Sequence, residues 1–290
     1  MNTHPTPQDH FFKAVFHQPR VLASTLQGLL PPEIVREIDF DILTYLPGES
    51  IGSALGSSSR ADLVFSVSLG GLPGRLAIIL EHKSAPDPLV HFQILRYIVA
   101  FYSQTLKERQ APVPVLPVLF YHGRSPWTLP TRLSDLLETP ESIRPFTQDF
   151  KLLTIALGRI DDNTIMQKVS NFVVKSLVLS MKHIFNREIR RYFSAILQPF
   201  DAEKVPRKIM RETLELSIRY LSNVYHRLYT EEILSELNTV IKEEKLPDVI
   251  DLLREMSFQK GRQEDIEPLL RKKILFSAQI AEVLEVVPAW

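Results

Sequence analysis

The sequence predicts an α/β fold with a sheet-bearing first half and a helical second half, and three observations predict it. Residues 61–83 read as a hairpin. Leu63, Phe65, Val67 and Leu69 alternate with Asp62, Val64, Ser66 and Ser68, and a glycine-rich turn, Gly70–Gly74, leads into an apolar run from Leu76 to Leu80. A long helical pattern from about Leu89 then separates the hairpin from a second apolar strand at Pro114–Tyr121. From about Phe150 the pattern is helical, after one further short strand at Leu152–Leu157.

Taken in order, the first element runs from about Gln8 to Leu30. Phe11, Phe12, Val15 and Phe16 recur at helical spacing, and Asp9 sits in the first turn, where a carboxylate suits the helix dipole. Pro19 breaks it in two. Pro31-Pro32 opens a short helix over Glu33–Asp39, followed by a strand at Asp41–Leu46 and a Gly/Ser/Pro-rich loop at Pro47–Ser59. The hairpin strands are Ala61–Leu69 and Arg75–Lys83. Pro86–Pro88 opens the long helix, whose buried face is read as Phe92, Leu95, Tyr97, Ile98, Phe101 and Tyr102. Pro112, Pro114 and Pro117 put the next strand at a sheet edge or make its start irregular. Asp161–Leu197 and Glu203–Tyr229 are helix-rich, and Glu231–Leu253 and Glu264–Val287 read as short helices with polar links.

Composition narrows the function classes. The chain has 290 residues, formal net charge zero, 23% charged and 44% hydrophobic residues, which is ordinary globular usage. It has no cysteine, which removes disulfides, thiolate metal sites and cysteine nucleophiles and suits a reducing cytoplasm. The opening residues lack the basic end and apolar run of a signal peptide, and Phe172–Phe185 is interrupted by Lys175 and Lys182. A soluble cytoplasmic protein without a membrane partner is expected. The eight histidines show no zinc-site spacing, and there is neither a P-loop, so no ATP-driven step, nor a G-x-S-x-G nucleophile turn. Charge is unevenly spread: Lys182–Arg227 carries ten basic against five acidic residues, and Glu231–Trp290 thirteen acidic against eight basic. These are either solvated helical faces or a basic surface for a polyanion with an acidic tail that shields it.

Three residues carry candidate chemistry. Glu81 and Lys83 share one face of their strand, and a short-turned hairpin brings the start of one strand beside the end of the next, setting Asp62 next to Glu81. Two carboxylates hold Mg²⁺ while leaving room for water and a phosphate oxygen, and a lysine orients that water or offsets phosphate charge, which is phosphodiester-cleavage chemistry. A salt-bridge cluster at strand ends is the competing reading.

The strings DHFFKAVF (Asp9–Phe16), LPPEI (Leu30–Ile34), RADLVFSV (Arg60–Val67), IILEHKSAPDPL (Ile78–Leu89), LRYI (Leu95–Ile98) and PVLFYHG (Pro117–Gly123), with Pro126-Trp127, resemble the recombination-promoting nuclease (Rpn) family, which also bears a YhgA-like transposase label. The resemblance covers about Asp9–Leu137 closely and implies a PD-(D/E)XK restriction-endonuclease-like core, a mixed sheet flanked by helices. It implies that Asp62, Glu81 and Lys83 are the catalytic set, that Asp62, Glu81 and the His82 backbone carbonyl are metal ligands, and that Asp9 and Lys13 support metal and phosphate. Lys83 stands where many relatives have glutamine and is the more usual superfamily residue. Gln8 stands where a histidine often precedes the aspartate, and the tail has a single GRQE (Gly261–Glu264) where relatives repeat such units.

Arg60 lies on the same strand face as Asp62, so it touches phosphate or pairs with an acid. Gln93 and Arg96 are either DNA contacts or a solvated helix face, and Tyr97 and Tyr102 are core or rim. His122 is a substrate contact or a hydrogen-bonded strand-end histidine. Two functional readings stand. One is a Mg²⁺-dependent (alternatively Mn²⁺ or Ca²⁺) endonuclease acting on double-stranded DNA in recombination or mobile-element biology, by direct attack of water on phosphorus, with a homodimer for double-strand breaks. The other is a catalytically silent DNA- or partner-binding module on the same fold. The domain reading is a nuclease core at 8–135, a basic helical region at 150–230 and an acidic helical tail at 231–290.

Overall fold

The computed structural model describes residues 7–46, 63–81, 86–185, 189–202 and 207–224, with 237, 239 and 240. The hairpin prediction meets a simple local cause. Gly70 and Gly71 both have positive φ, 57° and 83°, the signature of the two-residue type I′ turn whose twist matches that of paired strands. The turn therefore closes in two residues rather than five. Strand β3 begins at Leu72, three residues earlier than expected, and pairs antiparallel with β2 (Leu63–Leu69) from Leu69↔Leu72 to Leu63↔Ile78.

The described residues divide into two compact units, one comprising Leu26–Asp161 and the other the residues up to Thr25 and from Asp162 onward. The first holds a five-stranded mixed sheet in the order β1-β2-β3-β4-β5, with β1 at Ile38–Leu46, β3 at Leu72–Glu81, β4 at Val115–Tyr121 and β5 at Leu153–Ala156. The pairs β1/β2 and β2/β3 are antiparallel, and β3/β4 and β4/β5 are parallel. The α/β class with a mixed sheet and helices, expected from the sequence, is the observed one.

Parallel β3 and β4 need a crossover, and the helix Leu89–Lys107 supplies it. Asp87 starts this helix: its carboxylate accepts from the Leu89 N–H at 2.9 Å and its carbonyl from the Val90 N–H at 3.2 Å. The face turned to the sheet is Val90, Ile94, Tyr97 and Phe101, which pack with Val64, Leu119, Tyr121, Trp127 and Leu152. Phe92, expected on that face, is 40% exposed. The helical period that buries residues 90, 94, 97 and 101 turns position 92 outward.

Other details differ as well. The short helix after Pro31 ends at Val35 rather than Asp39, and β1 begins at Ile38, because Ile38 and Asp39 pair with Leu69 and Ser68. The register of β1 then slips between Asp39 and Thr44, leaving a bulge around exposed Asp41 and Ile42. Strand β4 is internal rather than an edge. Strand β5 joins it only from Val118, so Pro117 falls where β4 still has an open side. The expected loop at 47–59 and the tail helices lie outside the described residues, apart from positions 237, 239 and 240.

The second unit is helical. Numbering in chain order, its helices are α1 (Pro7–Phe16), the first part of α2 (Pro19–Leu29), α5 (Asp162–Lys168), α6 (Phe172–His183), α7 (Ile189–Ala202) and α8 (Arg207–Val224), with α3 (Pro32–Val35) and α4 (Leu89–Lys107) in the sheet unit. Asn171 caps α6, its side chain accepting from the Val173 and Val174 N–H groups. Residues 172–181 of α6 are all buried, so its polar members must find partners inside. The Ser176 hydroxyl donates to the Ile196 carbonyl (3.0 Å), Ser180 shares a hydrogen bond with Ser217 (3.1 Å), and Tyr192 donates to the Ser217 carbonyl (3.0 Å). These bonds tie α6, α7 and α8 together. Phe11 of α1 stacks on Tyr220 of α8 with centroids 3.9 Å apart. No helix among the described residues is long and apolar enough to cross a membrane.

Two predictions follow from local geometry. Helix α4 ends in a Schellman arrangement, with Gln110 N–H on the Thr105 carbonyl and Arg109 N–H on the Leu106 carbonyl, but its left-handed residue is Arg109 (φ 55°) instead of glycine. Arg109→Gly is expected to stabilise the protein by about 1 kcal/mol, read as a raised denaturant midpoint, because a side chain costs roughly that much in this conformation. In the helical unit, burial opposes ionisation of Asp162, but His183 Nε2 (2.9 Å) and the Lys182 ammonium outweigh it and hold the carboxyl at about 2. A depressed carboxyl stabilises the fold above its unfolded value, and that contribution disappears as pH falls towards about 2. The stability gap between wild type and Asp162→Asn should be full at neutral pH and close as the pH is lowered below the ordinary carboxyl value.

Candidate active site

The strand ends of the sheet unit converge on one edge. Strand β3 ends at Glu81, which pairs with Tyr121, the last residue of β4, and Tyr121 pairs with Ala156, the last of β5. Strand β2 starts at this edge with Leu63, β1 finishes there at Leu46 opposite Val64, and α4 begins there after β3. Ligands of open α/β sheets bind outside the carboxyl ends of parallel strands, and Glu81 is the acid that the backbone sets at such an end.

Of the residues singled out from the sequence, Arg60, Asp62, His82 and Lys83 lie outside the described residues. Asp9 and Lys13 fall on α1, in the helical unit rather than the one that carries Glu81, and Lys13 is exposed. Gln93 and Arg96 are exposed on α4, off the face that packs on the sheet. Tyr97 is core. Tyr102 is half-buried, with its hydroxyl on the Val113 carbonyl at 3.1 Å. His122, directly after β4, is buried at 2% exposure, so an open substrate-facing ring is not what the structure presents. Among the described residues no three His, Asp or Glu side chains gather as a metal-binding group.

The structure adds residues that the sequence reading passed over. After β4 the chain turns sharply: the buried Tyr121 hydroxyl donates to the Ser125 carbonyl at 2.6 Å, and the Tyr121 and Trp127 rings meet edge-on at 5.1 Å. The Arg159 guanidinium, beyond β5, donates to the Trp127 carbonyl. The only sequence trace of this latch is the Pro-Trp pair at 126–127, and the bonds themselves depend on register between strands.

Beneath the same edge, in the first turn of α4, His91 is fully buried against Phe150. Burial pushes its imidazole below the usual histidine value, opposed by nearby backbone of Pro130, Thr131 and Pro88, and neither ring nitrogen reaches a partner at hydrogen-bond geometry. Tyr97 is raised by burial, with the Arg75 charge opposing it. Arg75 itself lies 5.7 Å over the Phe101 ring and donates to the Gly74 carbonyl. His91 stands at the start of α4, whereas Arg75 and Phe101 lie towards the opposite end of the strands, where Arg75 pairs with Val115 at the start of β4.

Residues 6–210 match the family described as "Putative transposase, YhgA-like". The chain is 31% identical over 187 residues to recombination-promoting nuclease RpnC of Escherichia coli (strain K12), covering 63% of this chain and 60% of that protein. It is 28% identical over 191 residues to recombination-promoting nuclease RpnD of Escherichia coli O157:H7, covering 64% and 71%. A third relative, the inactive recombination-promoting nuclease-like protein RpnE of Escherichia coli (strain K12), is 24% identical over 270 residues, covering 91% and 86%. The match therefore spans about three fifths of RpnC's own length. No solved structure matches the chain.

Because His91 is held below its unfolded value, the unfolded chain takes up a proton first as pH falls, and folding weakens below about pH 6.5. His91→Phe removes that proton. Denaturant midpoints of the two proteins should draw apart from pH 8 to pH 5, with the wild type falling faster.

Proposed function

The chain belongs to the YhgA-like transposase family, and from that premise we propose that its sheet-bearing unit is a divalent-metal-dependent endonuclease acting on double-stranded DNA in recombination. The observation that carries the reading is the position of Glu81 at the carboxyl edge shared by three parallel strands. The relatives named recombination-promoting nucleases support the reaction class and the biological setting.

The candidate donors are the carboxylates of Asp62 and Glu81 and the His82 carbonyl, an all-oxygen set that suits Mg²⁺, with Mn²⁺ or Ca²⁺ as alternatives, rather than a soft metal. The cation, when bound, supplies Lewis-acid stabilisation of phosphate charge and acidifies water. The residues do the rest. Asp62 and Glu81 orient the cleavage centre, and the Lys83 ammonium donates to a non-bridging phosphate oxygen and aligns the attacking water. The exposed side chains of Gln93 and Arg96 on α4 contact the duplex. Two copies are needed for a clean double-strand break, one centre for each strand. The lack of cysteine suits work in the reducing cytoplasm.

A second reading, a silent DNA- or partner-binding module, is favoured by one finding: the relative called inactive matches this chain over 270 residues, against 187 and 191 for the two named nucleases above.

Plasmid cleavage by purified full-length protein separates the two. With Mg²⁺ the wild type is expected to nick or linearise supercoiled DNA, EDTA to abolish this, and Asp62→Ala and Glu81→Ala each to reduce it by roughly a hundredfold or more while remaining folded. Lys83→Ala should lower the rate and leave metal binding intact. Absence of cleavage with Mg²⁺, Mn²⁺ and Ca²⁺, or cleavage indifferent to both acid substitutions, establishes the silent module instead.

A further inference from the structure

Two arginines stand at matched positions on the edge that carries Glu81. Tyr121 and Ala156 are register partners at the ends of β4 and β5; Arg124 lies three residues beyond the first and Arg159 three beyond the second. Adjacent strands are about 4.8 Å apart, so the two loops step away from β3 one strand at a time. Both arginines are exposed.

The loop bearing Arg124 is held rather than loose. Tyr121, anchored in the core, donates to the Ser125 carbonyl, Trp127 packs edge-on against Tyr121, and both rings are buried. The exposed stretch Arg124-Ser125-Pro126 is therefore strung between two buried aromatic residues. Arg159 ties in from the neighbouring loop through the Trp127 carbonyl. A guanidinium has five N–H donors and this bond uses one, so Arg159 keeps capacity for an anion while fixing the loop beside it. Two arginines on loops that follow the first and second strands beyond the one ending at Glu81 suit a chain of phosphates better than a single small anion.

We propose that Arg124 and Arg159 form a phosphate track that grips the DNA backbone alongside the cleavage centre and sets its path across β4 and β5. The track rests on the nuclease reading for its substrate class. It adds two positioning residues outside the D…E-x-K set, and it is sequence-independent because backbone phosphates carry no base information.

The test is binding, with cleavage scored separately. The full chain carrying Glu81→Ala is titrated with a short labelled duplex in Ca²⁺ across a fourfold range of salt. Each phosphate contact contributes about 0.9 to the slope of log affinity against log salt, so Arg124→Ala should make the drop in affinity across that range about threefold smaller. Arg124→Lys should restore most of the slope. Arg159→Ala should act similarly and also raise the mobility of the 122–127 loop. Lys107→Ala, at the far end of α4, controls for general loss of charge and should leave the slope unchanged. In the cleaving protein, Arg124→Ala should raise KM more than it lowers kcat.

An unchanged slope in folded Arg124→Ala, an equal effect from Lys107→Ala, or no salt-dependent binding at all overturns the track. Arginine-dependent binding by a wild type that cleaves nothing sustains the track and overturns the nuclease reading, so the two failures are distinguishable.

Discussion

The parallel pairing of β3 with β4 is the constraint on which the sheet unit depends. Antiparallel strands can be joined by a two-residue turn, as β2 and β3 are, but parallel strands need a long return path, and α4 supplies it. That return works because Val90, Ile94, Tyr97 and Phe101 bury against Val64, Leu119 and Tyr121. Burying a large apolar side chain contributes roughly 1.5–3 kcal/mol, so this one face outweighs most other local terms in the unit. Its consequence for function is alignment: with β3, β4 and β5 in fixed parallel register, whatever follows Glu81, Tyr121 and Ala156 emerges on one edge.

The helical unit is held differently. Helix α6 is buried along ten residues, and three of its inward groups are polar. Lys175 and the serines at 176 and 180 are tolerated because a buried polar group costs little once bonded, whereas an orphaned one costs about 1–3 kcal/mol. Small hydroxyl side chains also let α7 and α8 each come close to α6. The Ser176, Ser180, Ser217 and Tyr192 bonds thus fix one register among the helices, where an all-leucine interface would accept several.

Much of this was legible in the sequence because its causes are local. The alternation of Leu63 to Leu69, the Gly-Gly turn, the prolines at 19 and 88 and the aromatic repeat of residues 11–16 act within a few residues of themselves, and the elements they predict are present. The misses share a non-local cause. Ile38 and Asp39 look like the end of a helix opened at Pro32 until Leu69 and Ser68 are seen to pair with them. Phe92 looks like core by type, and only the phase fixed by Ile94 and Tyr97 turns it outward. Arg124 and Arg159 are 35 positions apart and stand at matched positions only through the β4–β5 register. Glu81 was legible as an acid at a strand end, because the apolar run before it acts locally. The latch at Tyr121, Ser125 and Trp127 was not, since a hydroxyl-to-carbonyl bond leaves almost no pattern in a single sequence.

The slip in β1 bears on assembly. This strand closes one side of the sheet order, where an unpaired row of backbone groups ordinarily invites another chain to add itself. The bulge between Asp39 and Thr44 breaks that row, and the exposed carboxylates of Asp39 and Asp41 charge what remains. A second molecule offering the same strand meets mismatched spacing and like charge together. Continuous sheets running from one molecule into the next are thereby disfavoured at this border, which leaves the short, four-residue β5 as the other open edge of the described sheet.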